Sequence, residues 1–115
     1  MSPPCAISID FGQTLASLDP SLLARRLRGR GLDVKEAAIE TALPKAWAVY
    51  DEIVRSGAAG HPWRELMGSL LEGAGVPEAY RGPTVEWLWS EQPRKNLWRR
   101  PVPGMFRICV DLERA

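Results

Sequence analysis

Asp10 stands at the end of a short apolar segment, Cys5-Ala6-Ile7-Ser8-Ile9, and is followed by Phe11-Gly12-Gln13-Thr14-Leu15. The segment contains β-branched residues, is preceded by Pro3-Pro4, and reads as a single buried strand. A carboxylate just past such a strand lies at the carboxyl edge of a sheet, where α/β proteins bind ligands. Gly12 permits the tight backbone geometry needed there. An aspartate so placed can attack an electrophile or hold a hard divalent cation. The plainer alternative is a turn residue whose side chain bonds nearby backbone.

Few other residues offer chemistry. The one histidine, His61, precedes Pro62 at a helix start and reads as a surface or capping residue without a visible partner. Cys5 and Cys109 sit near opposite ends with no CxxC spacing, so they read as buried free thiols rather than a disulfide framework or zinc site. Of the tryptophans at 47, 63, 87, 89 and 98, those at helical spacing read as core. Trp87 and Trp89 cannot share a face, because residues i and i+2 point about 200° apart on a helix. One of them is a candidate for a substrate-facing or domain-facing surface. Arg94, Lys95, Arg99 and Arg100 flank Trp98; the cluster reads as a solvated connector, with an anionic substrate or partner as the sharper alternative.

Helices must position these residues. Asp19-Pro20 is an acidic N-cap with proline at the first helical position, and Leu22, Leu23 and Leu27 continue to a stop at Gly29-Arg30-Gly31. A second start near Asp33 carries Ala37, Ala38, Ile39 and Leu43. Pro44 should break or kink it before Trp47, Tyr50, Ile53 and Val54, giving one bent helix or two in sequence. From Pro62, the residues Trp63, Leu66, Met67, Leu70 and Leu71 form one apolar stripe that ends at Gly73 and Gly75. A short helical stretch from Glu78 to Arg81 precedes another that starts at Thr84 and runs to Pro93. Arg94 to Pro103 reads as a connector. The last stretch, from Gly104, puts Met105, Ile108, Cys109 and Leu112 on one helical face.

The 115 residues, with 15 Lys+Arg against 14 Asp+Glu and 45% hydrophobic content, fit one soluble globular domain. The 10 glycines and 10 prolines punctuate the chain into short elements and exclude a long coiled coil. A net charge of +1 carries no electrostatic footprint for nucleic acid or an anionic membrane. No run approaches the ~20 apolar residues that span a bilayer. Met1-Ser2-Pro3-Pro4 lacks the basic start of a secretory signal, so a cytoplasmic location is expected.

The residues Ile7-Ser8-Ile9-Asp10-Phe11-Gly12-Gln13-Thr14-Leu15 resemble the first motif of the haloacid dehalogenase-like (HAD) hydrolases, an apolar strand followed by D-x-D-G-T-L. The resemblance implies an α/β, Rossmann-type core in the complete family, while this chain is mostly α-helical with a single core strand. It implies that residues 1–16 are the first core strand and nucleophile loop, 17–92 a helical cap, and 93–115 a connector and a helix returning to the core after Pro103-Gly104. In that family the aspartate matched by Asp10 forms a covalent aspartyl intermediate on a small-molecule substrate. It also holds Mg²⁺, together with the backbone carbonyl at the position of Gly12. Thr14 matches the motif threonine that fixes the turn.

Two departures bear on activity. The general acid of the motif is Gly12 here, and the motif glycine is Gln13. General acid–base help is worth about 10²–10⁴-fold, so Gln13, water or a cap residue would have to compensate. The later motifs, a strand ending in Ser or Thr, a lysine and an acidic loop, do not occur in these residues, and the chain is expected to stop short of them. No intrinsic hydrolase activity is therefore expected of the 115 residues. A strand left alone would bury unpaired backbone groups at about 1–3 kcal/mol each. That cost and the open apolar helix at the end raise a second possibility. In it, the chain is a non-catalytic helical interaction module of HAD-like descent that self-associates or pairs through its incomplete core.

Overall fold

The computed structural model describes residues 16–58 and 60–114. The chain divides into two compact units. One is Pro20–Asn96, and the other combines Met1–Asp19 with Leu97–Ala115, of which residues 16–19 and 97–114 are described. The strand expected at Cys5–Ile9 lies outside the described residues.

The helical unit contains α1 (Pro20–Gly29), α2 (Glu36–Arg55), α3 (Trp63–Gly73) and α4 (Glu78–Glu91). Helix α3 is the centre of the core, and its buried residues are Trp63, Leu66, Met67, Leu70 and Leu71, the stripe its sequence spacing predicts. Leu23 and Leu27 of α1, Ile39 of α2 and Leu88 of α4 are fully buried with it, as is Val76 from the turn after α3. Helices α2 and α3 make the most extensive pairing in the unit. They approach closely at Gly73, where an added Cβ would stand 2.8 Å from that of Ala42. Glycine at this position is required by the space available.

Two helices run through prolines that the sequence reading treats as punctuation. Helix α2 is one element across Pro44, settling the choice left open between one helix and two. Helix α4 is likewise continuous across Pro83, where two short pieces were expected. A proline removes one helical N–H. Burial of Ala42 and Ala46 on either side of Pro44, and of Thr84, Val85 and Leu88 after Pro83, outweighs that loss. Both prolines are exposed, so their rings displace no core residue. Neither helix has a side-chain hydrogen bond at its N-cap, which is Lys35 for α2 and Pro77 for α4.

The second unit holds an unexpected ribbon. Strand β1 (Ala16–Leu18) pairs antiparallel with β2 (Trp98–Pro101), part of the segment read as a connector. The described residues therefore contain a two-stranded antiparallel sheet rather than a single strand. Ala16 faces Pro101, Ser17 faces Arg100 and Leu18 faces Trp98, with a bulge between Ser17 and Leu18 that leaves Arg99 unmatched in the register. The Asp19 N–H donates to the Leu97 carbonyl at 2.9 Å and closes the ribbon. The Ser17 hydroxyl adds a bond to the Arg100 carbonyl at 3.4 Å. Leu18, Leu97 and Trp98 are buried. The strand signal was masked by composition, because Arg99, Arg100 and Pro101 leave no apolar alternation to read.

Helix α5 (Met105–Arg114) forms where the sequence predicts it. It has no buried residue, and Phe106, Ile108, Val110 and Leu112 are all exposed, while Met105 and Cys109 are half-buried. Among the described residues no helix is long and apolar enough to cross a membrane.

Two outcomes test this packing. Gly73→Ala should lower stability by about 1–3 kcal/mol in urea unfolding because α2 must shift. Gly68→Ala, in the middle of α3 with nothing within 4 Å of the added Cβ, should raise it by about 0.5–1 kcal/mol. In addition, residues 20–96 expressed alone should keep their helical circular dichroism and melt cooperatively, since they form one compact unit with buried residues on all four helices; a non-cooperative melt would contradict this.

Candidate functional site

The sequence-predicted site residues Asp10, Gly12, Gln13 and Thr14 lie outside the described residues. Among the described residues there is no group of three or more His, Cys, Asp or Glu side chains able to hold a metal ion. What the structure does assemble is a set of aromatic and cationic contacts on the helical unit.

Trp87 and Trp89 take opposite sides of α4, as the i, i+2 geometry requires. Trp87 is half-buried and Trp89 is 40% exposed, so Trp89 is the surface ring of the pair. Each ring is covered by guanidinium from another helix or its trailing turn. Arg30 lies 4.5 Å from the Trp87 ring centre and Arg26 5.3 Å from it, while Arg64 of α3 lies 4.6 Å from the Trp89 ring centre. Trp89 also meets Trp63 edge to face at 5.2 Å. These cation–π contacts add electrostatic attraction to apolar contact.

The arginines differ in what else holds them. Arg64 donates from Nε to the Glu86 carboxylate at 2.7 Å, and this bond is the main reason its pKa rises. Arg26 donates from Nη1 to the Lys95 carbonyl at 2.7 Å and so ties α1 to the segment after α4. Burial lowers the Arg26 pKa, and the negative charge of Glu91 opposes that shift. Nη2 of Arg26 and Nε1 of Trp63 are buried without hydrogen-bond partners among the described residues.

His61 has a partner that the sequence reading did not see. Its Nε2 is 3.2 Å from the Tyr50 hydroxyl, and Tyr50 in turn packs edge to face on Trp47 at 5.1 Å. Tyr50 is near the end of α2 and His61 just before α3, so only the path of the turn joining them could have revealed the pair. The basic cluster around Trp98 does not act as one group in sequence order. Arg94 and Lys95 belong to the helical unit, where the Lys95 amine lies 3.8 Å from Glu91, and Arg99 and Arg100 belong to β2.

No family model, curated protein or solved structure matches the chain. The site is therefore read from its own chemistry.

The contrast between the arginines is measurable. Arg26→Ala should cost about 1 kcal/mol in chemical unfolding, the scale of one lost hydrogen bond. Glu86→Gln should leave the midpoint nearly unchanged, because the exposed Arg64–Glu86 pair gains little over its solvated state.

Proposed function

We propose that the chain supplies the nucleophile, Asp10, and the helical cap of a HAD-like hydrolase acting on a phosphate ester or related small substrate. The observation that carries this reading is the ribbon. Strands β1 and β2 bracket Pro20–Asn96, so the helical unit is an insertion between Asp19 and Leu97. An inserted helical cap after the first motif is the arrangement that the resemblance of residues 7–15 implies.

In this reading the Asp10 carboxylate attacks phosphorus, or the carbon bearing the leaving group. The leaving group departs with the bonding electron pair, and water then cleaves the aspartyl ester. Gly12 provides no proton to the departing group, which favours groups that leave as stable anions. The Asp10 carboxylate and the Gly12 carbonyl are an incomplete ligand set for a dedicated Mg²⁺ site. No described acidic cluster completes it, so no step here is routed through the metal. The helical cap would exclude water and select substrate.

The test combines activity with local structure. The 115-residue protein should show no turnover on a panel of phosphomonoesters and 2-haloacids with Mg²⁺. Turnover that disappears in Asp10→Asn would overturn the expected inactivity while supporting Asp10 as nucleophile. Backbone chemical shifts should be extended for Cys5–Ile9 up to Asp10; helical or random-coil shifts there would overturn the family reading.

The exposed face of α5 favours a second reading, a helical interaction module. In that case the protein self-associates in solution and binds an apolar dye. A monomer in light scattering with no dye binding would remove this reading.

A further inference from the structure

A cleft of about 360 Å³ lies between the turn that follows α1 and the first half of α4, lined by Arg30, Gly31, Leu32, Tyr80, Pro83 and Thr84. Its size is at the lower end for small-molecule sites. All six residues belong to the helical unit, and none is acidic.

Three of them are arranged for a ligand. Arg30 is pinned by its stacking on Trp87 at 4.5 Å, yet its guanidinium has no carboxylate or carbonyl partner among the described residues. In this it differs from Arg64, which Glu86 neutralises, and from Arg26, which the Lys95 carbonyl engages. A guanidinium held by an aromatic face keeps its hydrogen-bonding edge for a planar or tetrahedral oxyanion. Thr84 is only 2% exposed, and what it exposes borders the cleft. Its hydroxyl has no hydrogen-bond partner among the described residues, whereas the helical Thr41 bonds the Ala37 carbonyl at 2.9 Å. A threonine hydroxyl with no protein partner can donate to a ligand oxygen. Tyr80, 56% exposed, offers a ring beside them.

We infer that this cleft binds a phosphate monoester carrying a planar ring, of which a nucleoside monophosphate is the natural probe. The phosphate oxygens accept from the Arg30 guanidinium and the Thr84 hydroxyl, and the ring lies against Tyr80. An anion suits the site because Arg30 has no carboxylate partner among the described residues and no lining residue is acidic. The inference uses no residue before Pro20, so it stands or falls apart from Asp10.

Calorimetric titration of the full chain with AMP, adenosine and inorganic phosphate tests it. AMP should bind more tightly than either fragment. Arg30→Gln should weaken AMP about tenfold or more, the range for a lost charge-assisted hydrogen bond. Thr84→Val, which keeps the shape and removes the hydroxyl, should weaken it several-fold. Tyr80→Ala should weaken AMP but not inorganic phosphate. Arg28→Gln, equal in charge change but outside the cleft, should leave AMP binding unchanged. Absence of AMP binding would overturn the inference. So would adenosine or inorganic phosphate binding as tightly as AMP, or an equal loss in Arg28→Gln and Arg30→Gln. Tyr80 and Arg30 are exposed, so Tyr80→Ala should keep the wild-type melting curve and Arg30→Gln, which gives up the Trp87 contact, should lower it only slightly.

Discussion

The pairing of Ala16–Leu18 with Trp98–Pro101 obliges everything between Asp19 and Leu97 to leave and return through one narrow neck. Closing so long a loop costs chain entropy, although that cost grows only slowly with loop length. The internal core of Pro20–Asn96 offsets it, because the inserted chain collapses around α3 and brings its own ends near each other. A short ribbon with a bulge is marginal alone. Here the hydrogen bond from Asp19 to Leu97 and the buried side chains of Leu18, Leu97 and Trp98 reinforce it.

Much of the helical unit was legible because its signals are local. The stripe from Trp63 to Leu71 is a strong periodic pattern, and the structure buries those five residues. The start of α1 at Pro20 fits proline's place at a first helical position, and its stop fits the left-handed Gly31 just beyond it. The misreadings share a different cause. Pro83 was treated as a break, yet the burial that follows it outweighs one missing hydrogen bond. Strand β2 has an arginine-rich sequence, and only its partner far back in the chain makes it a strand. Local pattern cannot report a partner so distant.

The same limit applies to the sites. The opposite placement of Trp87 and Trp89 follows from helix geometry, but the guanidiniums covering them come from α1, its trailing turn and α3. His61 was read without a partner because Tyr50 reaches it only through the turn between two helices. Asp10 is the reverse case, a residue whose local motif is informative and whose surroundings lie outside the described residues. The helical unit thus contributes an independent pattern of chemistry. Aromatic rings hold arginines in place, and the remaining bonding capacity of each arginine depends on whether an acid or carbonyl is nearby.

The neck has one more consequence. The Asp19 N–H bonds the Leu97 carbonyl, and the Ser17 hydroxyl bonds a carbonyl rather than a particular side chain. Main-chain ties constrain where the ends of an insertion meet and not which residues fill it. Selection could therefore rewrite or exchange the helical segment, or lengthen it, while the flanking chain stayed in register. Such a joint lets one part of a molecule evolve at its own pace.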